Sequence, residues 1–171
     1  KFTVSNNIPG YVNVETMVLS FEKEMFAEQV SGTVYSFDGT YFGYDGWLIP
    51  ITPDITALTA SLDWDGDMEL HLTLYDPAGA NRGQVTTKGE TLTIKDPTIG
   101  YWTAIITIHA PGSADYTMNI GGWRFKSFKG VTLQPSIFTL TPYGTQKMTV
   151  IASPKAEGMG FIVYYNFETG S

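Results

Sequence analysis

The sequence contains no cysteine, so neither disulfides nor thiolate metal sites are available to it. Its 171 residues are enough to bury a substantial core. Without covalent cross-links, stability has to come from core packing, ions or partner domains. Basic residues are few: ten Lys and Arg face seventeen Asp and Glu, a formal charge of −7. They form no block either, which argues against nucleic acid or an anionic membrane as a partner. No run approaches the roughly 20 apolar residues of a membrane span. No charged, apolar and cleavage-site series opens the chain, and its first residue is Lys1 rather than Met. The expectation is a piece of a larger or processed chain that carries no signal peptide of its own. An Asn-x-Ser/Thr acceptor is missing too, so glycosylation gives no compartment clue.

Catalytic patterns are equally scarce. There is no Gly-x-Ser-x-Gly elbow, and no Ser, His and acid triad can be singled out. Glu69 is the one glutamate well inside a clear strand, whereas glycoside hydrolysis needs two acids facing each other. The chain itself is therefore expected not to be an enzyme.

What it has in plenty is Thr, Tyr, Gly, Phe and Trp, a mix that favours strands and turns. Ile55 to Gly83 is the centre of the pattern. Met68, Leu70, Leu72 and Leu74 alternate with Glu69, His71, Thr73 and Tyr75, the period of a strand with one buried face. Ahead of them Leu58, Ala60, Leu62 and Trp64 alternate with Ala57, Thr59, Ser61 and Asp63. Trp102, Ala104, Ile106 and Ile108 mark a strand whose other face is also partly apolar, which predicts a place inside a sheet rather than at its edge. Pro50 puts the short strand Trp47 to Ile51 at an edge or a bulge. Further strands are expected at Phe2 to Ser5, Val12 to Phe21, Val30 to Phe37, Glu90 to Lys95, and around Tyr116, Met118 and Ile120. Over Phe21 to Val30 a short helix competes: Ser20 can cap it, and Phe21, Met25 and Phe26 fall near helical spacing.

Short strands separated by Gly, Pro and Asp turns predict an all-β fold, an antiparallel β-sandwich of jelly-roll type with additional flanking strands. Its main domain is expected over residues 29–128. The flanking segments 1–28 and 129–171 hold the strand candidates Val131 to Leu140, Lys147 to Ala152 and Gly160 to Phe167. They either complete the same sandwich or form part of an immunoglobulin-like module, a fold that takes roughly 100 residues when whole.

Three constellations carry possible chemistry. Asp63, Asp65 and Asp67 lie two residues apart across a turn, and Asp76 stands in the next one. Such carboxylates can converge on Ca²⁺, which takes six to eight oxygens, or simply satisfy hairpin geometry. An EF-hand is excluded, because the sixth position from Asp63 is Met68 and the twelfth is Leu74. His71 and His109 project from polar strand faces; were their strands adjacent, they and Glu69 would approach a zinc-like set, and otherwise they are solvated residues. Tyr41, Phe42, Tyr44 and Trp47 crowd one Gly-rich loop, and Trp123 sits beside Arg124. Exposed, Tyr44, Trp47 and Trp123 would stack on sugar rings or extended peptide; covered, they close the end of the sandwich or meet a neighbouring domain.

The stretch LDWDGDMELHLTLYDPAGANRG resembles the pre-peptidase C-terminal domain, a jelly-roll accessory domain of secreted subtilisin-like serine proteases. The likeness rests on Leu62-Asp63-Trp64, on the strand Leu70, Leu72 and Leu74, and on Tyr75-Asp76-Pro77 with Gly79. Gly100-Tyr101-Trp102 and Tyr116-Thr117-Met118 extend it, so that it spans roughly Gly32 to Ile120. The family's usual Asp-Leu-Asp-Leu stands here as Met68-Glu69-Leu70-His71. The resemblance implies an extracellular or cell-surface, non-catalytic domain that stabilises or positions the catalytic domain of the same parent chain, with calcium as the candidate cofactor. The alternative is a module that binds a polysaccharide or a protein substrate.

Overall fold

A computed structural model describes residues 1–168 and 170. These form thirteen strands and no helix: β1 (Phe2–Ser5), β2 (Val12–Tyr35), β3 (Gly43–Ile51), β4 (Ile55–Trp64), β5 (Leu70–Tyr75), β6 (Asn81–Val85), β7 (Thr91–Lys95), β8 (Gly100–Ile108), β9 (Ser113–Ser127), β10 (Val131–Gln134), β11 (Ile137–Leu140), β12 (Thr145–Ala152) and β13 (Gly160–Tyr165). The chain folds as two compact units, residues 25–124 and residues 1–24 with 125–171.

In the larger unit, the period-2 pattern of each strand turns one row of apolar side chains inward. Leu58, Ala60 and Leu62 of β4, Leu70, Leu72 and Leu74 of β5, and Ala104, Ile106 and Ile108 of β8 are fully buried in one core with Trp102, Tyr116 and Met118. One sheet has the order β2–β9–β4–β7 and the other β3–β8–β5–β6. Numbered along this unit alone, the eight strands run 1-8-3-6 and 2-7-4-5. That interleaving of two Greek keys is the jelly roll, so the expected fold class is the observed one. The edge place of β3, with Pro50, and the interior place of β8 follow the proline and two-sided apolar signals.

The smaller unit draws on both ends of the chain and has a core of its own, made of Val4, Val14, Leu133, Leu140 and Met148. Strand β12 lies between β1 and β10, while β11 and β13 pair with residues 12–20 of β2. The expected strand Val131 to Leu140 is two short strands, β10 and β11, divided at Pro135.

No helix forms over Phe21 to Val30; the whole segment is part of β2. Within that strand Phe21 and Met25 are exposed. Pairing with neighbouring strands satisfies the backbone instead, and tertiary pairing overrides local spacing.

Candidate functional site

The most unusual surface of the larger unit is an exposed chain of rings. It begins in the loop between β2 and β3, where the Phe37 N–H donates to the Phe42 carbonyl at 2.8 Å. The Thr40 hydroxyl lies within donating distance of the carbonyls of Phe37 and Phe42, at 2.7 and 2.9 Å, and Gly39 takes the positive φ of 72° that closes the turn. A loop tied at both ends holds its rings in place instead of letting them collapse onto the core. Phe37 packs edge-on against Tyr44 of β3 with centroids 5.7 Å apart, and against Phe42 at 6.3 Å. Phe42 meets the ring of His109 edge-on at 5.7 Å, and His109 stacks on His71 of β5 at 4.4 Å.

Sheet register explains the second half of the chain. Tyr44 and His71 both lie opposite Thr107 of β8, from opposite sides, so the two residues share one outward row. His109 follows Thr107 by two and keeps to the same face. Its Nε2 lies 3.0 Å from the Thr107 hydroxyl, and His71 Nε2 lies 2.9 Å from Glu69 Oε1. The five rings carry no lysine or arginine among them; Glu69 bonds His71, and the exposed Asp38 follows Phe37 in the loop. Phe37, Phe42 and Tyr44 are 51, 43 and 59% exposed, and Tyr41 beside them 73%. Leu48 and Tyr101, further along the same outward face, are also exposed. Such a surface suits the C–H faces of sugar rings or the side chains of an extended peptide.

The residues expected to bind ligand separate. Tyr44 belongs to the chain of rings. Trp47 does not: three residues on along a strand, it points to the opposite face and packs on the core. Its Nε1–H donates to the Tyr116 hydroxyl at 2.6 Å, and that hydroxyl donates to Asp45 Oδ2 at 2.6 Å. These bonds tie β9 of one sheet to β3 of the other. Burial, with help from the Asp45 carboxylate, pushes the Tyr116 hydroxyl up to about 12 from 10.0. Gly32 leaves the room this needs, since a Cβ there would stand 2.6 Å from the Tyr116 oxygen. Trp123 lies on β9, opposite Ala57, in the sheet that does not carry Tyr44; it is half exposed.

The four expected metal ligands do not converge. Asp76 sits in the β5–β6 turn, where its Oδ1 accepts the N–H groups of Ala78 and Ala80 at 3.0 Å and its Oδ2 lies 3.5 Å from Arg82. This carboxylate holds the turn, which is the physical role of the Asp-Pro-x-Gly sequence. Asp63 accepts the Trp64 N–H, and Asp65 and Asp67 flank Gly66, whose φ is 76°, in an exposed loop. That loop is not the expected hairpin turn, because it carries the chain from β4 in one sheet to β5 in the other. Among the described residues no three His, Asp or Glu side chains are placed to hold a metal ion.

Phe37 was not among the expected site residues, and His71 and His109 were expected together only as a zinc-like set with Glu69. The histidines were recognisable only on the condition that their strands pair, which β5 and β8 do.

No protein-family model matches the sequence, and no curated protein matches it. Solved structures similar to parts of it include a periplasmic inhibitor of g-type lysozyme from Aeromonas hydrophila, 9% identical, covering 58% of this chain and 86% of the inhibitor, with a TM-score of 0.39. A pilus protein of Bacillus endospore appendages is 10% identical over 59% of this chain and 89% of its own, with a TM-score of 0.33. A chain of a glycosylation-associated protein complex from Streptococcus agalactiae is 12% identical over 60% of this chain and 46% of its own, with a TM-score of 0.30.

Proposed function

We propose that this chain is a non-catalytic binding module of an extracellular or cell-surface protein, and that the rings of Tyr44, Phe37, Phe42, His109 and His71 hold it on a polysaccharide. The continuous chain of rings, with Phe37, Phe42 and Tyr44 exposed, carries this reading. Aromatic side chains left in water on a flat face lose solubility unless something covers them. A neutral glycan matches them better than an anion or cation does, because stacking needs apolar faces while the histidines, Glu69 and Thr107 supply hydrogen bonds to hydroxyl groups. The test is retention on insoluble cellulose, chitin and peptidoglycan. The native chain should be retained on at least one of them, and Phe42→Ala with Tyr44→Ala should lower its affinity about tenfold, from two ring contacts of about 0.5–1.5 kcal/mol each. Failure of the native chain to bind any glycan would sink the reading, as would retention unaffected by the double variant.

A second reading keeps the same surface but gives it a protein partner. There the chain is the accessory domain of a secreted subtilisin-like protease, and the exposed Leu48 and Tyr101 meet the catalytic domain. The Asp76 turn, whose hydrogen bonds account for the Tyr-Asp-Pro-x-Gly stretch, favours it. Contact with the folded form would raise the melting temperature of the parent enzyme by mass action. Leu48→Thr with Tyr101→Thr in the full parent chain should remove that gain, and an unchanged melting temperature would count against it.

A further inference from the structure

The smaller unit presents a cleft of a different character, and charge singles it out. The larger unit holds twelve carboxylates and four basic residues, whereas the smaller unit holds five carboxylates and six lysines. Three of those lysines, Lys126, Lys129 and Lys155, line one open cleft of about 680 Å³ together with Phe21, Phe128 and Met159. Lys126 pairs with Glu22 at 3.1 Å. No carboxylate among the described residues forms an ion pair with Lys129 or Lys155, and both are exposed.

The apolar part of the cleft is built rather than accidental. Phe161 stacks on Phe21 and meets Phe125 edge-on, each with centroids 5.0 Å apart, and the Lys23 ammonium stands 5.0 Å above the Phe125 ring. Gly160 lets the Phe128 ring lie against the strand, since a Cβ there would come within 2.4 Å of that ring and 2.5 Å of the Leu19 carbonyl. Phe21 is 60% and Met159 80% exposed at the mouth. Methionine beside phenylalanine is an adaptable apolar seat, and lysines around it select the sign of what enters.

We propose that this cleft docks an acidic segment of a partner protein that carries an aliphatic or aromatic anchor between its carboxylates. The anchor seats on Met159, Phe21 and Phe128, and the carboxylates face Lys129 and Lys155. Glu22 and Glu157, at the same cleft, disfavour a continuous anionic surface such as a membrane, because they face part of any flat array of negative charge. A peptide can place its charges at the lysines alone.

The test is fluorescence polarisation with a labelled peptide of sequence Glu-Glu-Leu-Phe-Glu-Glu and its counterpart with lysine in place of glutamate. The acidic peptide should bind and the basic one should not. Lys129→Glu with Lys155→Glu should weaken binding about tenfold, the sum of several exposed charge contacts of about 0.2–1 kcal/mol. Met159→Ala should weaken it about threefold, as expected for an exposed apolar contact at the mouth. All three positions are exposed, and an unchanged melting temperature checks that the variants fold. The proposal is overturned if the charge-reversed variant binds the acidic peptide as the native chain does, or if Met159→Ala has no effect. Capture by phosphatidylglycerol vesicles without peptide binding would overturn it in favour of a membrane, and self-association abolished by the lysine variants would overturn it in favour of a second copy of the chain. Phe42→Ala with Tyr44→Ala must leave peptide binding intact, so the result stands apart from the glycan reading.

Discussion

The two outward sheet faces of the larger unit answer the same folding problem and present different surfaces. On the β2–β9–β4–β7 face, Gln29 donates to Asn119 at 2.9 Å, the Ser31 and Thr117 hydroxyls lie 3.2 Å apart, and Thr33 donates to Asp115. As β2 ascends from 29 to 33, β9 descends from 119 to 115, so antiparallel register gives each polar side chain a partner across the strands. Together with Asp63 and Asp65 they line an open trough of about 650 Å³. On the β3–β8–β5–β6 face the corresponding outward positions carry Tyr44, Leu48, Tyr101, Ile105 and His71. Behind both faces stands the same buried apolar row. Folding therefore fixes the inner rows alone, and a polar outer row is the ordinary solvated solution. The aromatic row departs from that solution and marks where the surface has a partner.

The largest effect is expected in the inner rows. Leu62 of β4 and Leu72 of β5 are both fully buried, one behind each face. Leu62→Ala and Leu72→Ala should each cost about 2–5 kcal/mol, read as lowered denaturant midpoints with unchanged slopes. Should one cost less than about 1 kcal/mol, the sheet behind it is looser, and its outer face cannot be judged on the same footing.

Those inner rows were legible from the sequence because alternation is local: Leu70, Leu72 and Leu74 declare a buried face without reference to any other strand. The interior position of β8 was legible for the same reason. The length of β2 was not, since Phe21, Met25 and Phe26 fit two periods and only pairing with distant strands decides between them. Nor was the chain of rings, because His71 and His109 meet only when β5 pairs with β8, and Phe37 only when its loop closes. One signal was present but unused. Tyr44 and Trp47 are an odd number of residues apart, and within a strand that alone puts them on opposite faces. Asp76 is a further case: that its carboxylate accepts the N–H groups of Ala78 and Ala80 follows from the folded turn and not from its spacing to the other aspartates.

A smaller effect tests the bond that joins the sheets behind the two faces. Tyr116→Phe removes the hydroxyl between Trp47 Nε1 and Asp45, leaving a half-buried indole N–H without its partner, at a cost of about 1–3 kcal/mol. The sign with pH follows from the raised value. Between about 10 and about 12 the unfolded chain releases the Tyr116 proton while the folded chain keeps it. The contribution is therefore complete below pH 10 and falls as pH rises through that window, by at most about 1.4 kcal/mol per pH unit. The stability gap between the native chain and Tyr116→Phe should narrow from pH 10 to 12 in denaturant titrations. A gap that widens would mean that the hydroxyl is ionised in the folded state.

The smallest change in stability is expected in the outer rows themselves. Ser31→Ala with Thr33→Ala removes two cross-strand hydrogen bonds from the polar face, and both are exposed, so water replaces what is lost. Stability should change by no more than about 0.5 kcal/mol, and glycan retention not at all. Tyr44→Thr with Leu48→Thr, made on the aromatic face, should likewise leave stability within about 0.5 kcal/mol, since threonine suits an exposed strand position. It should also raise solubility and weaken glycan retention. Equal retention by the two double variants would show that the aromatic row is as passive as the polar one, and the contrast between the faces would then carry no function.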